Sequence, residues 1–206
     1  SIIASSESHS SLKAAARVMD IEVVLAKAGE DGKLTGKAVI EASKKIKDGL
    51  FAIVGTAGTT NFGIVDKLDE IAKAAKSLGV WYHVDGAYGL AGILDPKTRK
   101  LFKGVEKADS FIVDPHKWLF TSFDSCALVY RNPKLAAAAH TQHGEYLDTL
   151  TDSGEFNPSD YAYHLTRRAR GLPLWFSLAT YGVGAYRVAV AENIALAHKI
   201  ADVIRS

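Results

Sequence analysis

Residues 81–88 spell Trp-Tyr-His-Val-Asp-Gly-Ala-Tyr, an apolar segment that leads into Asp85 and is followed by a Gly-Ala pair. Aromatic and β-branched residues dominate its first half, which favours a strand. An acidic residue at the carboxyl end of such a strand points into the crevice where α/β sheets bind their ligands. Taken alone, Asp85 could equally cap the turn that follows, so both interpretations stay open at this point.

Residues 108–118 form a second informative stretch, Ala-Asp-Ser-Phe-Ile-Val-Asp-Pro-His-Lys-Trp. Its apolar residues 111–113 predict a strand, which Pro115 ends before Lys117 follows. A lysine enclosed by apolar neighbours has a lowered pKa and becomes a usable amine nucleophile. A lone lysine after a strand is more commonly a surface residue, and only its surroundings make this one less ordinary.

Around these stretches, short apolar segments alternate with helical patterns. The predicted strands are residues 2–5, 22–26, 51–56, 81–84, 111–113 and 126–130, and the predicted helices are residues 11–19, 35–48, 66–78 and 172–205, the last interrupted near Gly182 and Gly184. Strands with few charges are typical of a parallel sheet that is buried on both faces. The alternation of strand and helix therefore predicts an α/β fold.

The composition excludes several classes of protein. The 206 residues are 48% hydrophobic and 23% charged, as in an ordinary folded protein. A net charge of +2 argues against a strongly basic nucleic-acid binder. The single cysteine, Cys126, excludes an internal disulfide and a Cys-rich zinc site. No apolar run reaches the ~18 residues that span a membrane. We expect no metal, nucleic-acid or membrane partner, and a cytoplasmic location.

Three regions are predicted along the chain. Residues 1–140 would form an α/β unit, residues 141–160 a polar loop with glycine and proline, and residues 161–206 a helical end. The first residues are already apolar, and the last ones continue a helical pattern without a stop signal. We therefore expect an internal segment of a longer protein.

Asp85 and Lys117 are more informative together than apart. Each follows a predicted strand, and the carboxyl ends of parallel strands meet at one edge of a sheet. One carboxylate and one amine at a flat ligand suit pyridoxal phosphate chemistry. The lysine forms a Schiff base, and the carboxylate keeps the pyridine nitrogen protonated.

In order and spacing, residues 83–88 and 108–118 resemble the two signatures of the group II pyridoxal-phosphate-dependent amino-acid decarboxylases, the family of aromatic-L-amino-acid decarboxylase. Residues 55–60, Gly-Thr-Ala-Gly-Thr-Thr, resemble a third block of that family. The resemblance implies the large domain of a type I pyridoxal-phosphate-dependent transferase, with a mostly parallel sheet flanked by helices. Residues 1–140 would be part of this cofactor-binding domain, residues 141–160 its mobile catalytic loop, and residues 161–206 its helical end, which leads to a C-terminal small domain outside this sequence. The resemblance also implies a homodimer with sites at the subunit interface.

The resemblance assigns a role to each matching residue. Lys117 resembles the Schiff-base lysine, and Asp85 resembles the carboxylate that pairs with the pyridinium nitrogen. Ala87 and His9 would pack on opposite faces of the cofactor ring. Thr56 falls at the position of a cofactor-site threonine.

Three further residues complete the expected site. Ser110 and His116 resemble residues near the cofactor phosphate. Tyr146, within the loop 141–160, resembles the tyrosine that protonates the substrate carbon after carbon dioxide leaves. Without the family context, this loop could be a disordered surface segment and Tyr146 incidental.

The sequence departs from the family pattern at three points. Gly86 stands where alanine is common, which is expected to leave room for the ring. Asp114 stands where many animal and plant members have asparagine, and it places an acid near the expected phosphate. The family's upstream phosphate loop, with its serine and glycine, does not occur in this sequence.

The expected reaction is the decarboxylation of an L-amino acid to its amine and carbon dioxide. Trp118 after the lysine favours aromatic substrates, and the retention of His9 and Tyr146 favours simple decarboxylation. The alternatives are a pyridoxal-phosphate-dependent aldehyde synthase or another lyase of this fold, a decarboxylase of acidic amino acids, and an inactive fragment.

Two alternatives from other classes are weaker. A nucleotide-binding dehydrogenase needs Gly-x-Gly-x-x-Gly between strand and helix, which residues 55–58 do not supply. A non-catalytic interaction module is opposed by the retention of Lys117, Asp85, His9 and Tyr146.

Overall fold

One sheet organises the computed structural model, which describes residues 1–142 and 157–206. Its strands are β1 (Ile2–Ser5), β2 (Val23–Ala26), β3 (Ala52–Thr56), β4 (Trp81–Asp85), β5 (Ser110–Val113) and β6 (Ala127–Tyr130). They lie in the order β2-β1-β3-β4-β5-β6. The pair β5–β6 is antiparallel, and the other pairs are parallel. The predicted α/β fold with a mostly parallel sheet is confirmed.

The helices are α1 (Ser11–Met19), α2 (Gly36–Ser43), α3 (Leu68–Leu78), α4 (Pro133–His140) and α5 (Gly171–Arg205). Short 3-10 helices span Gly89–Leu94, Arg99–Phe102, Val105–Lys107 and Pro158–Tyr161. Within α5 the backbone leaves helical geometry at Gly182, with φ 70° and ψ 160°, which confirms the predicted interruption at this residue. None of the helices in the described part of the chain combines the length and the apolar character needed to cross a membrane.

The prediction of a helix over residues 35–48 was wrong in its second half, because α2 ends at Ser43. The amides of Lys45 and Ile46 donate to the carbonyls of Ala42 and Ser43, at 3.1 and 3.0 Å, in tighter turns than an α-helix makes. The altered path packs Ile46 against the core. Burial of an apolar side chain thus outweighs the helical tendency of the lysine-rich segment.

The two faces of the sheet carry different residues, because side chains alternate along each strand. We call one face the α2/α3 face, since residues of α2 and α3 join its core; its buried residues include Ile3, Ile53, Tyr82 and Val84. The other is the Asp85 face, where a smaller apolar group packs with Leu12 of α1 and comprises Ile2, Ala4, Ala52 and Val54. By strand register, the Asp85 face also carries Thr56, His83, Asp85 and Ser110.

Candidate active site at the carboxyl ends of the strands

Asp85 and Lys117 lie at the carboxyl ends of neighbouring strands, as the sequence predicted. Asp85 is the last residue of β4 and pairs with Thr56 of β3 and Ile112 of β5. Lys117 lies in the turn after β5, where its backbone N–H donates to the carbonyl of Asp114 at 3.0 Å. The carboxyl ends of three parallel strands therefore meet at one edge, the place where α/β sheets bind ligands.

Backbone hydrogen bonds tie the loop after Asp85 to the loop that carries Lys117. The N–H of Asp114 donates to the carbonyl of Ala87 at 2.9 Å, and the N–H of Gly86 donates to the carbonyl of Ile112 at 3.1 Å. Asp85 Oδ1 accepts the N–H of Ala87 at 3.1 Å. Asp85 therefore caps its turn and also faces the ligand edge, so the two interpretations of this residue are compatible.

The Lys117 amine lies 2.9 Å from Asp114 Oδ2, while 39% of the lysine side chain stays exposed. This differs from the expected apolar enclosure, because the buried Asp114 carboxylate supplies a charged partner instead. Partial desolvation of the Cys126 thiol, together with its hydrogen bond to Asp114, raises the pKa of Cys126 to about 12. The protonated Cys126 thiol and the Lys117 amine therefore share the Asp114 carboxylate as a partner.

Thr56 is buried beside Asp85, and its side-chain hydroxyl has no hydrogen-bond partner among the described residues. Buried hydroxyls almost always have a partner, so an unpaired one calls for an explanation. A polar group of a bound ligand at this edge would supply the missing partner. This observation fits the predicted role of Thr56 in cofactor binding.

Asp66 supports this region and was not predicted as a functional residue. Its carboxylate accepts the backbone N–H of Thr56 at 2.8 Å and that of Leu34 at 2.7 Å. Burial of the carboxyl group raises the pKa of Asp66 to about 6, against the effect of these two hydrogen bonds. The only sequence signal was an acid directly after Ile64-Val65, and it was interpreted as the start of a helix.

Two glycines are required by close packing of the protein itself. A Cβ on Gly58, where φ is +106°, would lie 2.6 Å from the Cα of Gly89. A Cβ on Gly86 would lie 2.5 Å from Leu90 Cβ and 2.9 Å from the Ile112 carbonyl oxygen. The expectation that Gly86 leaves room for the cofactor ring was wrong, because Leu90 and the backbone of β5 occupy that space.

Ser110 is the first residue of β5 and lies at the opposite end of this strand from Lys117. Its hydroxyl oxygen accepts Trp81 Nε1–H at 2.9 Å and lies 2.8 Å from His83 Nδ1. The structure thus gives the Ser110 side chain partners within the protein. Its predicted place near the phosphate stays a prediction.

His116 lies in the segment that joins β5 to β6. Its Nδ1 is 2.5 Å from the carbonyl oxygen of Ser125, and its Nε2 is 4.0 Å from Asp114 Oδ2. The ring meets that of Phe123 edge-on, with centroids 4.9 Å apart. His116 therefore buttresses the Asp114–Lys117 turn, while its predicted place near the phosphate remains untested.

His9 follows β1, so it belongs to the same edge of the sheet as Asp85. It is exposed, and its Nδ1 lies 2.8 Å from Ser11 Oγ. Among the described residues, no hydrogen bond joins His9 to Asp85 or Lys117. Tyr146 lies outside the described residues, and its role stays a prediction. In residues 1–142 and 157–206, no group of three or more His, Cys, Asp or Glu side chains could hold a metal ion.

Helix α5 contacts both site loops through Trp118. The Trp118 ring stacks on Tyr88, with centroids 5.3 Å apart and an interplanar angle of 18°. Its Nε1–H donates to Asn193 Oδ1 at 3.0 Å. A cavity of about 380 Å³ adjoins this contact; it is lined by Tyr88, Trp118, Asn193, Ile194, Leu196, Ala197, His198 and Ile200. Sequence reasoning could not predict this contact, because Trp118 and Asn193 are 75 positions apart in the chain.

The sequence of this chain is similar to those of several known proteins. At 38% identity over 152 residues, an aromatic-L-amino-acid decarboxylase of Bacillus atrophaeus matches 73% of this chain and 32% of its own length. A phenylacetaldehyde synthase of a Rosa hybrid cultivar is 33% identical, over 99% of this chain and 42% of its own. The chain thus spans less than half the length of these curated relatives.

Solved structures agree with the sequence matches. The crystal structure of Oryza sativa TDC with PLP and tryptamine superposes on all of this chain and 44% of its own, with a TM-score of 0.93 and 29% identity. The family model described as the pyridoxal-dependent decarboxylase conserved domain matches residues 1–206. The chain therefore belongs to the pyridoxal-dependent decarboxylase family.

Proposed function

We propose that the protein decarboxylates an aromatic L-amino acid to its amine and carbon dioxide, with pyridoxal 5'-phosphate as cofactor. The observation that carries the proposal is the joint placement of Asp85 and Lys117 at one sheet edge, on loops bonded to each other through Asp114 and Ala87. Relatives that are named aromatic-L-amino-acid decarboxylase support the aromatic substrate class.

The residues at this edge fit the cofactor. The Lys117 amine would join its aldehyde carbon, and Asp85 would pair with its ring nitrogen. The Thr56 hydroxyl, which has no hydrogen-bond partner within residues 1–142 and 157–206, would gain a polar neighbour. Ala87 would pack on the ring. When bound, pyridoxal phosphate supplies an electron sink for the electron pair that remains when the bond from Cα to the carboxylate breaks.

The side chains at this site would have separate roles in the reaction. Asp85, fixed by the N–H of Ala87, presents a preorganised negative charge. The Asp114 carboxylate, 2.9 Å from the Lys117 amine, would hold that amine in position whenever it is free. His9 would orient the substrate, and Tyr146 would return a proton to Cα.

We also propose that the protein is a cytoplasmic homodimer that binds its amino-acid substrate at the subunit interface. The resemblance to the family supports this assembly. Large aromatic side chains at the start of α5 are exposed, as a surface covered by a second subunit would require; they are Trp175, Phe176 and Tyr181.

Product analysis tests the proposal. The full protein would be supplied with pyridoxal phosphate and either an aromatic L-amino acid or L-glutamate, and carbon dioxide, amine, aldehyde, ammonia and peroxide would be measured. We expect carbon dioxide and the aromatic amine in equal amounts, and none from Lys117→Ala. Aldehyde with ammonia and peroxide would instead support an aldehyde synthase, the activity named for the rose relative. Turnover of glutamate alone would refute the aromatic substrate class.

A further inference from the structure

A chain of hydrogen bonds joins side chains of β4 and β5 on the Asp85 face of the sheet. Trp81 Nε1–H donates to Ser110 Oγ at 2.9 Å, and Ser110 Oγ lies 2.8 Å from His83 Nδ1. His83 pairs with Ser110 across β4 and β5, two residues before Asp85. The proposed reaction leaves His83 and Trp81 without a role.

The direction of each proton in this chain follows from the chemistry of the groups. The indole N–H of Trp81 can only donate, so Ser110 Oγ accepts there. Ser110 is buried, and His83 Nδ1 is the other partner of its hydroxyl among the described residues. The hydroxyl proton therefore points to Nδ1, because a buried hydroxyl without an acceptor is costly. Nδ1 then carries a lone pair, and the proton of the neutral ring is on Nε2.

Burial favours the neutral ring. Desolvation lowers the pKa of His83, and the charge of Asp85 offsets this only in part. An imidazolium at this position would need a proton on Nδ1, which the Ser110 hydroxyl could accept only by leaving its own proton unpaired. Desolvation and the hydrogen-bond chain thus act in the same direction.

We propose that Ser110, held by Trp81, fixes His83 as the neutral tautomer with its proton on Nε2, and that His83 in this form is a positioning residue for Asp85. His83 and Asp85 are alternate residues of β4 and share one face. A neutral N–H donor on that face leaves the carboxylate charge available, whereas an imidazolium would compete for it with a cofactor ring nitrogen. The consequence for Asp85 rests on the proposed function, while the tautomer does not.

The tautomer is measured directly by ¹⁵N NMR of histidine-labelled protein, recorded without cofactor on the full protein. The variant His83→Gln identifies the His83 ring signals among the seven histidines. We expect the wild type to show a protonated Nε2 and an unprotonated Nδ1. A protonated Nδ1 in the wild type, either neutral or as imidazolium, would overturn the proposal without any further variant.

Ser110→Ala and Ser110→Thr form a matched pair, since only threonine keeps the hydroxyl. We expect the alanine variant to lose the single Nε2–H tautomer and the threonine variant to retain it. Retention of the Nε2–H tautomer in Ser110→Ala would show that Ser110 does not select it. Circular dichroism of each variant confirms that it is folded before its spectrum is interpreted.

Binding of pyridoxal phosphate to the same variants tests the link to Asp85. We expect Ser110→Ala to bind it severalfold more weakly than wild type, most of all at low pH where an imidazolium can form, and Ser110→Thr to be close to wild type. A loss of affinity in Ser110→Ala that does not depend on pH would instead indicate a direct contact of Ser110 with the phosphate and would overturn the positioning role. Equal affinity of all three proteins would remove the positioning role. If the wild type does not bind the cofactor at all, the proposed function fails, while the tautomer result stands or falls by itself.

Discussion

The two faces of the sheet are built from the same six strands but carry different kinds of side chain. On the α2/α3 face, Ile3, Ile53 and Val84 are fully buried in an apolar core. On the Asp85 face, the apolar group is smaller, and polar residues take over toward the carboxyl ends of β3 and β4. There the Thr56 hydroxyl is buried, and none of the residues that the structure describes pairs with it.

Within the single strand β4, alternate residues therefore contribute to stability and to the candidate site. Along β4, Tyr82 and Val84 pack into the core, while His83 and Asp85 between and beyond them face the site. Apolar burial stabilises the fold, whereas a buried hydroxyl that has no partner among the described residues and a carboxylate charge at a strand end cost stability unless a ligand pairs with them. Substitutions on the two faces should therefore have separable effects.

The largest effect is expected on the Asp85 face. Asp85→Asn keeps an oxygen that can accept the N–H of Ala87 but removes the charge. We expect kcat to fall by about 10²–10³-fold, as for loss of a preorganised electrostatic group, with little change in the free energy of unfolding. Asp48→Asn, the same change at an exposed site, is the control. If Asp85→Asn lowered Tm so far that unfolding at the assay temperature explained the loss of activity, the two faces would not have separable effects.

Ile53→Ala is the counterpart on the α2/α3 face. Ile53 is fully buried, so its truncation should lower the free energy of unfolding by about 2–5 kcal/mol. Urea denaturation measures this, with Ile204→Ala as the control because Ile204 is 79% exposed. The residual folded protein should still bind pyridoxal phosphate. Loss of binding in fully folded protein would count against the separation.

The Asp66 carboxylate is bonded to Leu34, whose side chain belongs to the core of the α2/α3 face, and to Thr56, which lies on the Asp85 face. Its raised pKa predicts that stability depends on pH. Its pKa is raised from 3.8 to about 6 in the folded protein, so the folded state binds more protons than the unfolded state between these values. Stability should therefore fall as pH rises from about 4 to about 6, by up to about 3 kcal/mol.

Asp66→Asn removes this titration. Urea unfolding of both proteins at several pH values isolates it, because the difference between the two curves cancels other groups such as His83. We expect the difference in unfolding free energy to change across this range and to level off above it. A difference that is independent of pH would mean that Asp66 titrates normally in the folded protein.

The smallest effect is expected where α5 contacts the site. Trp118→Phe keeps the stacking on Tyr88 but loses the hydrogen bond to Asn193. We expect a loss of about 1 kcal/mol in stability and a nearly unchanged kcat. A double-mutant cycle with Asn193→Ala measures the coupling between the two side chains. Zero coupling would show that the bond contributes nothing.

Local patterns predicted the fold well because its strands are short and apolar. β1 and α1 have the predicted bounds, and the other strands differ by one residue at one end. The edge that carries Asp85 and Lys117 followed from chain order, since parallel strands share their carboxyl ends. The Asp114–Lys117 ion pair was also within reach, because it joins residues three apart.

Contacts between distant segments could not be predicted. The partners of the Ser110 hydroxyl come from β4, 27 and 29 residues away, so no local pattern indicated these hydrogen bonds. The carboxylate of Asp66 joins two backbone groups from different elements, and no local pattern encodes this. The packing of Gly86 against Leu90 likewise depends on the fold.

The central claim is that Lys117, at the edge shared with Asp85, carries the cofactor. Borohydride reduction of the full protein with pyridoxal phosphate, followed by peptide mapping, tests it most directly. We predict that the label resides on Lys117 and that Lys117→Arg abolishes the label. The same substitution should also remove the visible absorption band of the bound cofactor. A label on another lysine, or a cofactor that binds without being fixed to Lys117, would contradict the claim.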